Sequence, residues 1–415
     1  MFTIYNSEIQ RLPIKVWLNH MDQLDASCYQ QAIALSNLPF ATQWVVLLPD
    51  THTGFGMPIG GVLATHNTII PNAVGVDIGC GMIFVQTNIP SAILSNKQGS
   101  KDAIAQSIVD KILKHVPTGF QHHKNSQSSQ AVDDFILELS RLPYRSINQD
   151  LLAKLDHAKY QIGTLGGGNH FIELQVNENG LMGIMIHSGS RHVGYKICNY
   201  FNQAFKEINQ RENSNVPIAW DLANLPADSV MGKQYIRWMT FAMAFAKENR
   251  LKMMDTVCQI VYDLTRSRSS FYDIVFDDKI DCHHNYASYE KHFDQMVWVH
   301  RKGAINVQKD EIGIIPGAMG SFSYLVKGKG NPESFYSCSH GAGRLYSRRH
   351  AKKQFNVQHT IKDLKDQGVF LGKVKTSDIG EESRFAYKDI DEVINKQLDL
   401  ITPISKLKTL AVVKG

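Results

Sequence analysis

The hydrophobic pattern divides the chain into short apolar runs that end in polar residues, with longer helical stretches between them. Trp44-Val45-Val46-Leu47-Leu48-Pro49 predicts a buried strand that delivers Asp50-Thr51-His52-Thr53-Gly54-Phe55-Gly56 at its end. Gly60 to Thr65 and Thr68 to Pro71 predict two more strand-like pieces. They feed Val74-Gly75-Val76-Asp77-Ile78-Gly79-Cys80-Gly81, and Met82 to Thr87 leads away from it. Met182 to Ile186 ends in His187-Ser188-Gly189-Ser190-Arg191-His192, and further strands are predicted at Val297 to His300 and Ile312 to Ile315.

Helical periodicity appears at Ala103-Ile104, Ile108 and Ile112-Leu113, and again at Phe135-Ile136 and Leu139, around a polar loop from Gln121 to Ser129 that contains His122 and His123. Helices are also predicted from Gly194 to about Glu212 and from Lys233 to Leu264. Met239, Met243, Met253 and Met254 on the second of these read as core. No internal repeat and no interdomain linker is visible.

Composition changes this picture little. The 415 residues carry 44 Lys and Arg against 39 Asp and Glu, so the net +5 does not mark a nucleic-acid binder, and any such surface must be a local patch. Length alone suggests two or three domains. Six cysteines without framework spacing argue for a reducing, cytoplasmic compartment. No apolar run is long enough for a bilayer and the N-terminus lacks a signal-peptide pattern, so the reading is of no membrane partner.

The seventeen histidines are the outlier, since they cluster beside Gly, Asn, Ser and Cys. Asp77 and Cys80, three residues apart among glycines, have a metal-ligand spacing, although alone they read more simply as a turn residue and a small core residue. Asp50 and His52 share one side of an extended chain and could support a metal, shuttle a proton or form a turn. Gly166-Gly167-Gly168-Asn169-His170-Phe171-Ile172-Glu173 exposes backbone N–H groups to an anion, and no Gly-Lys-Ser/Thr closes it as a Walker loop. His187 again ends a strand, and His283-His284-Asn285-Tyr286 adds a pair. The recurrence of one context favours a shared site over isolated core histidines. His340, in Ser339-His340-Gly341-Ala342-Gly343-Arg344, has small neighbours that would admit a phosphate to its ring, and Arg344 could grip the phosphate oxygens.

These segments, with Ala386-Tyr387-Lys388-Asp389 and the terminal Val413-Lys414-Gly415, run in the order found in the RtcB-type RNA-splicing ligases, which the chain closely resembles over essentially its whole length. The resemblance implies one α+β domain spanning residues 1–415, with a β-rich core and peripheral helices. It implies two manganese ions held by Asp77, Cys80, His170, His187 and His284, with Cys80 bridging, where a thiolate among imidazoles would by itself suggest zinc. It implies a GTP site built from Asn169, His170, Phe171, Ile172, Glu173, His284, Asn285, Pro316, Gly317, Ala318, Met319, Ser323, His340, Gly341, Ala342, Gly343 and Lys414. His340 would be the nucleophile, forming a guanylylated histidine. RNA ends bearing a 3′-phosphate or 2′,3′-cyclic phosphate would then be joined to 5′-hydroxyl ends, in tRNA splicing or RNA repair, with room for an archease-like activator. Ala318 stands where members commonly have Ser, Ser383-Arg384-Phe385 where a Pro is common, and His192 where Gly is frequent.

Two readings from other classes compete: a dinuclear-metal phosphoesterase, which needs neither His340 nor Lys414, and a non-catalytic RNA-binding protein. For the RNA path, Arg344, Arg348 and Lys352 fall at steps of four and would form a basic face if Gly343 to Lys353 is helical, with Arg191 as the other way in.

Overall fold

The computed structural model describes residues 1–94, 104–142, 149–268, 273–374, 376 and 379–415. Among them lie two large sheets. The first has six strands, in the order Phe2–Ile4, Ile14–Val16, Ala41–His52, Ile59–Thr65, Gln295–Lys302 and Asn285–His292. The apolar run 45–48 is continuous because both faces of this sheet are covered. Val46 and Leu48 pack with Val62, Ala64, Val297 and Val299, while Val45 and Leu47 turn to the opposite core with Leu63 and the helix Ala26–Ser36.

The second sheet has eight strands and runs Ile280–His283, Gly81–Pro90, Leu181–Ser188, Phe171–Val176, Ile401–Lys414, Phe322–Gly328 and Ile312–Ile315, with Phe370–Gly372 pairing in parallel with Ile401–Lys414. Ile83, Val85, Ile172, Leu174, Ile184 and Ile186 face the helices Ile104–His115 and Val230–Thr265. The alternate residues Met82, Phe84, Phe171, Met185 and Val412 face the other side. This mixture of sheets with helices packed outside them is the expected α+β class. No described helix is long and apolar enough to cross a membrane.

The predicted elements are present with shifted limits. The expected helix at 194–212 runs Arg191–Arg211, and that at 233–264 runs Val230–Thr265, with Met239, Met253 and Met254 buried. Gly194 lies inside its helix because a Cβ there would stand 1.9 Å from Ser190 Oγ and 3.2 Å from the Ile78 amide; Gly79, at φ +71, likewise admits the backbone of Met243. The two glycines thus let two helices close on the Asp77–Cys80 loop. The helical signal near 103 is realised from Ile104 onward, and residues 101–103 lie outside the described residues.

The helix expected from Gly343 begins only at Arg348 and ends at Gln354, with the Ser347 hydroxyl accepting from the His350 amide as its cap. Gly343 has φ +73 and Arg344 bridges to Tyr387, so Arg344 is not part of a helical basic face. Two strands carry weak sequence signals. Ile401–Lys414 includes Pro403 and, besides Lys414, the lysines Lys406 and Lys408, and Phe322–Gly328 pairs with it across a register shift.

Candidate active site

Strand ends bring the histidines together. Cys80 immediately precedes the strand Gly81–Pro90, whose Met82 pairs with His187; Phe171, next to His170, pairs with His187 from the other side, and His283 pairs with Gly81. Four separate segments therefore end within one sheet edge, and their donor atoms form a chain. Asp77 Oδ2 lies 3.0 Å from His170 Nε2, which lies 3.4 Å from Cys80 Sγ. The sulfur lies 3.3 Å from His187 Nε2, and that nitrogen 3.3 Å from His284 Nε2. Among the described residues, Cys80, His170 and His187 meet the distances of a three-ligand metal cluster.

The far ring nitrogens fix the imidazoles. His170 Nδ1 donates to the Leu165 carbonyl at 3.0 Å and His187 Nδ1 to the Asn169 carbonyl at 3.2 Å, so both Nε2 lone pairs point into the cluster. Burial lowers the pKa of His187 and His284 well below the usual value, keeping both neutral. Burial would raise Asp77, but its neighbours His170 and Arg191 hold it down to about 2. Lone pairs of neutral imidazoles packed this closely against sulfur and carboxylate repel one another, and a divalent cation relieves that repulsion. The donor set fits a metal.

Arg250 holds this arrangement from behind. Fully buried, it bonds bidentately to Asp281 at 2.7 and 2.8 Å, and its Nη1 donates to the carbonyls of Gly79 and Ser188 at 2.9 and 3.0 Å. One side chain thus ties the Cys80 loop, the end of the His187 strand and the strand before His284. Arg250→Met should cost about 3–5 kcal/mol of stability, because it leaves Asp281 buried and unpaired. Arg250→Met with Asp281→Asn should recover most of that loss in thermal melts. Metal affinity, read by titration, should stay about 10- to 100-fold weaker in the double variant, because the two carbonyls still lack their donor.

His340 follows the short strand Ser337–Ser339, which pairs with Ala304–Asn306. Its Nδ1 lies 2.7 Å from Asp50 Oδ2, which also accepts from its backbone amide at 3.2 Å, and its ring centre is 4.7 Å from that of His284. Asp50 is completely buried; burial alone would raise its pKa, yet His340 holds it below the ordinary value. Lys388 fastens the strand that carries it, donating to the carbonyls of Pro49 and Thr51 at 2.9 and 2.7 Å. With Nδ1 engaged, Nε2 is the nitrogen left for chemistry.

A cleft of about 910 Å³ runs from the donor cluster past His340 to the C-terminal strand. Asn169, Phe171, Glu173, His284, Asn285, Pro316 to Met319 and His340 to Gly343 line it, as does Lys414. Three expected residues stand behind the wall, His170 among them because its ring turns to the donor cluster. Ile172 packs in the core, and the Ser323 hydroxyl accepts from the Gly317 amide at 3.2 Å, shaping the turn that contains Ala318. Lys414 is buried and pairs with Glu382 at 3.3 Å. Burial would raise Glu382, but Lys414, Arg348 and Arg344 overcome it and hold the carboxyl at about 2. Burial pushes Glu173 the other way, up to about 7.

The arginines expected at the RNA path divide. Arg344 is occupied within the protein, donating to Tyr346 O, Glu382, the Tyr387 hydroxyl and Glu381 O. Arg191 sits behind His170, 3.3 Å from its Nδ1 and 3.2 Å from the Thr164 hydroxyl. Arg348 stands at the cleft with a half-exposed side chain, 3.2 Å from Asn169 Oδ1, and Lys352 is exposed one turn further along the helix. Sequence reasoning passes over Glu382 and Arg250, and it pairs Asp50 with His52 instead of with His340. Of the three, Asp50 alone carries a usable signal, a carboxylate at the end of an apolar strand.

A model of the family described as tRNA-splicing ligase RtcB matches residues 31–415. The RNA-splicing ligase RtcB of Escherichia coli K12 is 34% identical over 412 residues, 98% of each chain. The tRNA-splicing ligase RtcB of Pyrobaculum aerophilum is 27% identical, covering 98% of this chain and 95% of its own. The RNA-splicing ligase RtcB homolog 1 of Entamoeba dispar is 29% identical over 94% of this chain and 82% of its own. A match of this extent, to a chain whose strand ends gather a buried thiol, a carboxylate and four imidazoles, shows that the protein belongs to the RtcB family of tRNA-splicing ligases.

Proposed function

We propose that the protein is a GTP-dependent RNA ligase that joins 3′-phosphate or 2′,3′-cyclic phosphate ends to 5′-hydroxyl ends through a guanylylated His340. The observation that carries this reading is His340, held by the buried Asp50 carboxylate and abutting one end of the donor chain. A phosphoesterase needs the donors but has no use for a second imidazole held by its own carboxylate. Asp77, His170, Cys80, His187 and His284 lie in that order, with Cys80 in the middle, and would hold the divalent ions. When bound, manganese in these positions would neutralise phosphate charge.

The chain's own residues supply orientation. Asp50 fixes the His340 ring so that Nε2 can bond to the α-phosphorus of GTP as the bond to the β-phosphate oxygen breaks and pyrophosphate leaves. Where the RNA end is a 2′,3′-cyclic phosphate, water first opens it at the bond to O2′, leaving a 3′-phosphate and a 2′-hydroxyl. An oxygen of the 3′-phosphate then bonds to the phosphorus of the GMP as its bond to His340 Nε2 breaks. The 5′-hydroxyl oxygen of the second strand finally bonds to the 3′-phosphorus and GMP departs. Glu173 and Lys414 both line the cleft, and a carboxylate acceptor with an ammonium donor would complement the N1–H and amine of guanine and its O6.

The test is incubation with α-labelled GTP and manganese, then denaturation. An acid-labile label on the protein is expected, and its absence returns the protein to the phosphoesterase or binding-protein class. For RNA, Arg348→Ala with Lys352→Ala should weaken binding and flatten its salt dependence by about one unit of slope for each phosphate no longer neutralised. An unchanged slope would mean that this helix is merely solvated.

A further inference from the structure

Phe55 is 77% exposed, yet it lies in the lining of the cleft that holds His340 and the donor chain. Single exposed apolar residues are common and need no explanation. What sets this one apart is how its backbone is held. The Phe55 carbonyl accepts from Lys302 Nζ at 2.6 Å and from the Met57 amide at 2.8 Å. Lys302 is only 7% exposed, and its ammonium also donates to the Asn72 carbonyl at 3.0 Å. Burial pushes that ammonium down to about 8, so placing a cation there is costly. Neither of those acceptors is a carboxylate; the buried charge serves to hold two loops in place. The stem of Lys302 also runs under Gly75, within 3.5–3.8 Å of where a Cβ would stand, and so under the loop that delivers Asp77. Beside it Val76 is 38% exposed in the same lining.

An exposed aromatic side chain on a fixed backbone, lining the same cleft as Asp77 and outside every core cluster, has the form of a stacking platform. We infer that Phe55 stacks on the terminal nucleobase of the RNA strand whose 3′-phosphate enters the site. This rests on the RNA-ligase reading and adds to it a residue that binds substrate through the base instead of the phosphate. Stacking tolerates any base, because every base has a π-face, so the contact would raise affinity for RNA ends without imposing a sequence.

The experiment compares the parent protein, Phe55→Ala and Phe55→Trp for binding to a short single-stranded RNA with a 3′-phosphate, and to the same RNA whose last nucleotide lacks its base. Phe55→Ala should bind the intact RNA about tenfold more weakly, equivalent to about 1.4 kcal/mol, and Phe55→Trp should restore binding. On the abasic RNA the parent and Phe55→Ala should bind alike, which a general loosening of the loop would not produce. Thermal melts confirm that the variants fold. Equal affinity of parent and Phe55→Ala for intact RNA overturns the inference, as does a penalty that persists on abasic RNA. A parent protein that shows the base-dependent effect but forms no GMP adduct keeps the stacking contact and removes the ligase chemistry.

Discussion

His340→Ala should abolish the covalent GMP adduct and all strand joining while the protein still binds metal. The five donors from Asp77 to His284 do not include His340, and removing its ring leaves their mutual distances and the Arg250 ties in place. The substitution has a second consequence that separates loss of chemistry from loss of fold. Asp50 is completely buried, its Oδ1 already lacks a partner, and His340 supplies two of the hydrogen bonds to its Oδ2. Without the imidazole Oδ2 keeps the backbone amide, and loss of the ring bond costs about 1–3 kcal/mol.

The sign of the pH dependence follows from Asp50. In the parent, its depressed pKa contributes stability that is present above the unfolded-state value and lost as pH falls through the folded-state value. In the variant, burial without His340 raises that pKa, and a protonated Asp50 is cheaper to bury. The stability gap between the two proteins should therefore be widest near neutrality and narrow as pH falls, in parallel thermal melts. Normal metal content and an intact melt together with a surviving adduct would move the nucleophile elsewhere.

Much of the site is legible in the sequence because its residues come at the ends of apolar runs, where a strand leaves the core and its next side chains meet solvent. His187 has that context, Asp77 and Cys80 lie among glycines just before a strand, His170 follows a glycine run, and His284 comes in a His-His pair; the structure brings all five together. Their supports are not legible, for a different reason in each case. Arg250 lies mid-helix, where a lone arginine normally reads as solvated; only the tertiary fold shows that it faces Asp281 across a sheet. Glu382 sits in a charged stretch after Gly380, and its link to Lys414 joins positions on separate elements. Asp50 and His340 are 290 residues apart, and no local pattern couples them. The long strand Ile401–Lys414 is hidden because it is irregular: a register shift between Thr409 and Ala411 breaks the alternation that would identify it.

The two sheets also divide the work. The six-stranded sheet carries Asp50 and, through Lys302, the Phe55 turn; the eight-stranded sheet carries the donor chain and Lys414. Asn285 connects them, its Nδ2 donating to the Asp77 carbonyl at 3.1 Å and its Oδ1 accepting from the Gly303 amide at 2.9 Å. The Asp50–His340 pair and the donor chain are therefore held at a seam, and a small slip of one sheet against the other would separate them.

If the donor chain holds two ions, as proposed, Cys80→Ala should remove both at once, with loss of adduct formation and of cyclic-phosphate opening. The order of the donors dictates this outcome. Asp77 and His170 stand on one side of the sulfur, His187 and His284 on the other, and the sulfur is within 3.4 Å of a nitrogen from each pair. Removing it leaves two protein ligands for each ion, too few to compete with water for a divalent cation. The fold should survive, because the thiol is small and lies on the metal side of the loop, while Gly79 and Ser188 remain tied through Arg250. A melt of the metal-free variant within about 1 kcal/mol of the metal-free parent is the expected control. The substitutions at the ends of the donor chain provide the contrast. Asp77→Ala and His284→Ala should each lose one ion and weaken the other only indirectly, so that metal analysis after stripping and reloading with manganese gives about one ion per chain for these and close to none for Cys80→Ala. Equal metal content in Cys80→Ala and Asp77→Ala would remove the sulfur from its shared position.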